Sequence, residues 1–210
     1  MYLMVCTRPD IAYAVSVLSR FMSNPKEKHW RFVKMLLKYL KTTREYSLIY
    51  PNQNTTILTG YSDSDHAGDL GDRKSTSGFL FILSGCTISW KSVKQSTVAI
   101  SSSEAEYIAL SQATQEAIWF KALLKELGFP QEQITICGDN ISSMQIAKNP
   151  ISHNRSKHID TRYHFIRDHY QQGNISLQYI KSENLCADFL TKGVSKVMHQ
   201  KCMKIINLVD

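Results

Sequence analysis

Hydrophobic positions change period along the chain, and the change divides it. Over residues 9–22, Ile11, Ala14, Val15 and Leu18 recur at helical spacing behind Pro9, which suits a first turn, so the spacing predicts a helix. Ser23, Asn24 and Pro25 restart the chain, and over 26–44 Val33, Leu36, Leu37 and Leu40 form a second helical stripe. The two helices make an N-terminal arm that a polar break at 51–55 (PNQNT) closes. Beyond the break the pattern turns to β. Strands are expected at 56–62, 78–83 and 86–90, the last two joined through the turn residues Ser84 and Gly85. Residues 103–127 read as a long helix stopped by Gly128 and Pro130. A strand at 134–137, helices at 140–148 and 158–172, a strand at 175–180 and a final core helix at 185–192 complete the order. In the tail, Val197, Ile205 and Ile206 suggest one more short helix. A meander followed by strands alternating with helices predicts an α/β fold: a mixed five-stranded sheet with flanking helices behind a two-helix arm. The expected divisions are an arm at 1–50, the α/β domain at 51–194 and a tail at 195–210.

Composition narrows the class. Hydrophobic residues at 43% and charged residues at 20% belong to a chain that folds, not to a disordered tail. No apolar run is long enough for a membrane span, and five scattered cysteines suggest neither a disulfide framework nor a zinc site. An intracellular, reduced, soluble protein is expected. The net charge of +7 is uneven: residues 1–50 hold nine Lys and Arg against three Asp and Glu. Within the second helix Arg31, Lys34, Lys38 and Lys41 fall away from the apolar stripe, and few acids accompany them. Such a strip is either a solvated face or a surface that neutralises phosphates.

Four acids stand out by position. Asp63 ends the first strand of the α/β domain, Glu106 lies in the first turn of the long helix, Asp139 ends the fourth strand and Asp188 opens the last helix. Strand ends and the helix starts that follow them converge at one edge of an α/β sheet. Four carboxylates there repel one another unless a divalent cation neutralises them, and oxygen-only ligation suits Mg²⁺, with Mn²⁺ as its substitute. A pair of such ions promotes phosphodiester hydrolysis. Each acid also has an ordinary reading: Asp63 as a turn residue, Glu106 as the partner of Ser103 in a capping box, Asp139 and Asp188 as helix-start residues. Asp65 reads as a turn residue outright. Spacing alone leaves both readings open, and the local motifs must decide.

Those motifs are YSDSDHAGD, RKSTSGFLFILSGCTISWKSVKQSTVAISSSEAEYIAL, GDNISSMQIAKNP, RSKHIDTRYHFIRD and NLCADFLTKGV. In this order they resemble the ribonuclease H domain of Ty1/copia-type retrotransposon Pol polyproteins. The arm, TRPDIAYAVSVLSRFMSNPKEKHWRFVKMLLKYLK, looks like the segment that joins polymerase to ribonuclease H there. The resemblance runs from about Thr7 to Val194. It implies a ribonuclease H-like fold and hydrolysis of the RNA strand of RNA/DNA hybrids, dependent on two Mg²⁺ ions, leaving 3′-hydroxyl and 5′-phosphate ends. It also implies that Asp63, Glu106, Asp139 and Asp188 are the catalytic, metal-binding set.

The chain departs from the family's usual pattern at His66, where Trp is common, at Gly138, often Cys, and at Ser47, often Gly. Cellular ribonucleases H carry a loop histidine where the link at 181–187 has none, and His153 or His158 is the candidate substitute. The chain contains no Asp-Asp pair, so polymerase activity is excluded, and the resemblance makes the polymerase portion of the same polyprotein its original partner. A chain starting inside such a polyprotein is expected to be a truncated or degenerate copy, or an excised gene model. The expected partner is an RNA/DNA hybrid held by its backbone. Candidate phosphate contacts are Lys34, Lys38, Lys41, Arg73, Lys74, Lys91, Lys94, Arg155 and Lys157, with hydroxyl contacts from Ser75, Thr76 and Ser103. Trp90 and Trp119 are expected in the core. The alternatives to a ribonuclease are a catalytically silent nucleic-acid-binding remnant and another nuclease or transposase of the same broad fold.

Overall fold

Along residues 76–83 the side chains alternate between two apolar surfaces, Phe79 and Phe81 on one and Leu80 and Ile82 on the other, so this strand must be covered on both faces. The computed structural model describes residues 1–52, 56–148 and 157–210, and for 157–163 the backbone only. The helices are α1 (Tyr2–Cys6), α2 (Ala12–Ser19), α3 (Glu27–Thr42), α4 (Ser102–Glu126), α5 (Ile141–Lys148), α6 (Lys157–Gln171) and α7 (Lys196–Ile205). The strands are β1 (Ser47–Leu48), β2 (Leu58–Ser64), β3 (Thr76–Leu83), β4 (Cys86–Lys94), β5 (Ile134–Gly138), β6 (Ile175–Tyr179) and β7 (Leu208–Val209). Five strands form one mixed sheet in the order β4-β3-β2-β5-β6, antiparallel through the meander and parallel from β2 to β6. The expected mixed five-stranded sheet is therefore present. Among the described residues no helix is long and apolar enough to cross a membrane.

One face is covered by α4 and α6. Leu58, Phe81, Tyr107, Phe120, Ile136 and Ile166 form the core between them. The other face is covered by the segment 185–191 and α7, with Leu80, Phe189, Leu190, Cys202, Met203 and Ile206 at its centre and Ala12 from the arm. The tail returns to the arm as well, since β7 pairs antiparallel with β1.

The helix expected at 185–192 is not α-helical. Two 3₁₀ turns, Ser182–Asn184 and Cys186–Leu190, stand there, and every residue from Leu185 to Thr191 is buried. A segment enclosed on all sides has no polar face to lay on a regular amphipathic helix. The first arm helix is also shorter than its stripe suggests: Pro9–Ile11 is a 3₁₀ turn and the α-helix starts at Ala12. Trp119 is 56% exposed on the outer side of α4, contrary to expectation, whereas Trp90 packs beside the second core and its Nε1–H donates to the Met4 carbonyl at 2.6 Å.

A buried ion pair ties the arm together. Arg8 binds Asp10 through Nε at 3.0 Å and Nη2 at 2.7 Å and donates to the Thr43 carbonyl and hydroxyl, while the Tyr39 hydroxyl donates to Asp10 at 2.6 Å. These bonds join the start of α2 to the end of α3. Replacing Asp10 with Ala strands a buried guanidinium, so Asp10→Ala is expected to lower unfolding free energy by about 3–5 kcal/mol. Urea titration of the two proteins checks this, and equal midpoints would contradict it.

Candidate active site

The sheet register sets the position of Asp63. It lies in β2 opposite Gly78 of β3, next to the point where β5 runs parallel to β2. Asp139 follows β5 directly, and Asp188 lies in the 3₁₀ turn that packs on β2 and β3. One carboxylate oxygen from each of Asp63, Asp139 and Asp188 falls within 4.8 Å of the others. Glu106 stands beside this trio, its Oε1 accepting the Ser64 N–H at 3.3 Å.

The ordinary readings of Glu106 and Asp139 are taken by their neighbours. Ser101 caps α4 by accepting the Glu104 N–H at 3.2 Å, and Glu104 reaches back to the Ile100 N–H at 2.9 Å, so Glu106 is not the capping residue. Asn140 accepts the Ser143 N–H at 2.8 Å at the start of α5, which leaves Asp139 to the trio. Asp65, by contrast, braces its loop by accepting the Thr76 N–H.

Three further residues orient the trio, and the sequence reading did not single them out. The Thr191 hydroxyl donates to Asp63, and the Ser182 hydroxyl donates to Asp139. The Lys192 ammonium lies 3.1 Å from Asp188 and 4.0 Å from Asp63. Their only sequence signal is the DFLTK string, which sets Thr191 and Lys192 three and four residues after Asp188. Gly78 permits the arrangement: a Cβ there would lie 2.7 Å from both Leu190 Cβ and Thr191 Cγ2. Only a bare backbone lets the 186–190 turn settle on β3.

Burial, reinforced by the charge of Asp188, pushes the Asp63 carboxyl up to about 7 against the opposing pull of Lys192. Glu106 rises to about 9 through burial and the charges of Asp63 and Asp139. Burial also raises Asp188, while Lys192 opposes the shift. Lys192 itself is held above its usual value, because the carboxylates outweigh the cost of burying its charge. Raised carboxyls mean that the folded state binds protons more tightly than the unfolded chain, whose acids titrate near 4. Stability from these groups is complete at low pH and is lost as pH rises through the folded values. Metal-free protein in EDTA is therefore expected to melt at steadily lower temperature from about pH 5 to about pH 9, the upper bound following Glu106. Melting that is flat or improves over that range would contradict it.

The other candidates are dispersed. Lys34, Lys38, Lys41, Arg73 and Lys91 are exposed. Lys94 is engaged by Asp69 at 2.6 Å and Asp72 at 2.8 Å, and Lys74 lies 3.8 Å from Asp72. Ser75 and Thr76 are buried in and before β3, and Ser103 is half-buried. Residues Arg155 and His153, and the side chains of Lys157 and His158, lie outside the described residues.

No protein-family model matches the chain. It is 44% identical over 208 residues to the retrovirus-related Pol polyprotein from transposon TNT 1-94 of Nicotiana tabacum, an overlap of 99% of this chain and 16% of that one. It is 38% identical to the corresponding polyprotein from transposon RE2 of Arabidopsis thaliana, over 97% of this chain and 14% of the relative. Over nearly its whole length the chain is similar to Ty1/copia-type Pol polyproteins. The chain spans about a sixth of the length of those curated relatives. It is also 57% identical to secreted RxLR effector protein 161 of Plasmopara viticola, over 57% of this chain and 84% of that one. Among solved structures, the N-terminal RNase H domain of a Mycobacterium tuberculosis protein superimposes with a TM-score of 0.50 at 12% identity, covering 70% of this chain and 99% of that one. The fold is ribonuclease H-like.

Proposed function

We propose that the chain is a ribonuclease H, hydrolysing the RNA strand of RNA/DNA hybrids with divalent metal at Asp63, Glu106, Asp139 and Asp188. The observation that carries this reading is the meeting of three aspartates at one edge of a ribonuclease H-like sheet in a chain similar to Ty1/copia-type Pol polyproteins. The donor set fits a hard cation. It is all oxygen, and Asp188 Oδ1 is buried with no hydrogen-bond partner, an acceptor that a cation would satisfy. Such ions supply activation of a water and charge neutralisation at the leaving oxygen.

The chain's own groups do the positioning. Thr191 and Ser182 fix one oxygen each of Asp63 and Asp139, and the Ser64 N–H steadies Glu106. Lys192 neutralises part of the negative charge and stands where an approaching phosphate would meet it. The hybrid is recognised by its backbone, and the exposed Lys34, Lys38, Lys41, Arg73 and Lys91 are its phosphate contacts. In intact elements the partner of this portion is the polymerase part of the same polyprotein. Incubation with Mg²⁺ and an RNA/DNA hybrid whose RNA is labelled should give fragments with 3′-hydroxyl and 5′-phosphate ends. Duplex RNA and duplex DNA should stay whole. Equal cutting of duplex DNA would point instead to a general nuclease.

A further inference from the structure

A groove of about 780 Å³ separates α2 and α3 from the 189–194 segment and the start of α7. Its walls are aromatic and aliphatic, with Tyr13, Phe21, Phe32 and Tyr39 among them. Phe32 is 54% exposed, so much of its ring is uncovered. The lysines of the groove are Lys28, Lys192 and Lys196. The single carboxylate in its lining, Asp10, is already committed to Arg8 and Tyr39. Lys192 lines this groove and also lies 3.1 Å from Asp188, so one side chain links the groove to the trio.

A buried donor also lacks an acceptor there. His29 in the groove wall accepts the Lys26 N–H at Nδ1 (3.0 Å), which places its hydrogen on Nε2. That Nε2 is buried and has no hydrogen-bond partner. Buried donors are normally satisfied, so this one is short of an oxygen or nitrogen acceptor.

We propose that the groove holds an unpaired nucleic-acid strand running out from the carboxylate trio. Lys28 and Lys196, which have no carboxylate beside them in the groove lining, suit phosphates, and uncovered aromatic rings suit base stacking; together they are the two parts of a single-strand platform. A groove of this volume takes one strand and not a double helix. An uncharged polypeptide segment would cover the apolar wall but leave Lys28 and Lys196 without counter-charge. The identity of the strand, as the continuation of a hybrid held at the trio, rests on the ribonuclease reading above.

The test compares a blunt RNA/DNA hybrid with the same hybrid carrying a short single-stranded extension, by fluorescence anisotropy in EDTA so that nothing is cut. The extension is expected to tighten binding about tenfold. Phe32→Ala and Lys28→Glu should each remove most of that gain. Trp30→Ala, on the same helix but outside the groove, should keep it. An extension that adds nothing to wild-type affinity, or a full gain retained by Phe32→Ala, overturns the proposal. So does a dimer in sedimentation that Phe32→Ala dissolves, since the groove would then belong to a second copy. Hydrolysis of the blunt hybrid in Mg²⁺ separates the two readings. A chain that cuts it and ignores the extension loses only the groove; one that grips the extension and cuts nothing keeps the groove and loses the ribonuclease.

Discussion

Asp63→Asn is expected to abolish hybrid hydrolysis while raising the melting temperature of the metal-free protein. The substitution keeps the shape of the side chain, and the amide oxygen can still accept the Thr191 hydroxyl. What it removes is a buried negative charge that lies against Asp188 and presses on Glu106. In the absence of metal that charge is a cost, because burial and like charges disfavour it. Each kcal/mol relieved should raise melting by roughly 2–4 °C at this chain length. With metal the sign reverses for function. Losing an anionic ligand removes several kcal/mol of stabilisation of the reacting phosphate, so cutting should fall at least about a thousandfold. Calorimetric melting in EDTA at pH 8 and cleavage in Mg²⁺ test the two halves separately. A variant that melts well below wild type would mean that Asp63 serves the fold; one that still cuts at the wild-type rate would remove it from the site.

Gly78→Ala is expected to damage the site nearly as severely without touching any charge. Its new Cβ would lie 2.7 Å from Leu190 Cβ and Thr191 Cγ2 and 3.3 Å from the Leu190 carbonyl carbon. The partner is packed chain and not the tip of a flexible side chain, so the 186–190 turn must move off β3. Asp188 moves with it, and so does the Thr191 hydroxyl that holds Asp63. Overpacking of this kind costs about 1–3 kcal/mol, and displacing a site by an ångström costs about a hundredfold in rate. Cleavage should fall by about that factor, with Mg²⁺ affinity weakened in calorimetric titration. Wild-type affinity and rate in Gly78→Ala would show that close seating of the turn on β3 does not position the trio.

Legibility in the sequence followed how local each cause is. The hairpin of β3 and β4 was readable because alternation and the Ser84–Gly85 turn are local signals, and the structure starts β4 at Cys86 as expected. The meeting of Asp63, Asp139 and Asp188 was legible in part: strand order sends Asp63 and Asp139 to one sheet edge, but singling these acids out took the family motifs, and Asp188 arrives on a 3₁₀ turn and not at a strand end. Segment 185–192 was misread because its buried residues arrive from every direction, which a helical period cannot encode. Trp119 was misplaced because it adjoins Phe120, a core residue, while its own direction on α4 points outward. The engagement of Lys94 by Asp69 and Asp72 depends on loop geometry between residues more than 20 positions apart. Ser182 gave no signal, and Lys192 only its spacing of four from Asp188; the folded turns bring both to the carboxylates.

The most direct measurement is the time course of cutting of an RNA/DNA hybrid by the 210-residue chain, with Mg²⁺ and with EDTA, beside Asp63→Asn. The wild type is expected to cut the RNA strand in Mg²⁺ and not in EDTA, and Asp63→Asn to leave it whole. Cutting that persists in EDTA or in the variant, or a folded wild type that leaves the hybrid whole in Mg²⁺, would contradict it.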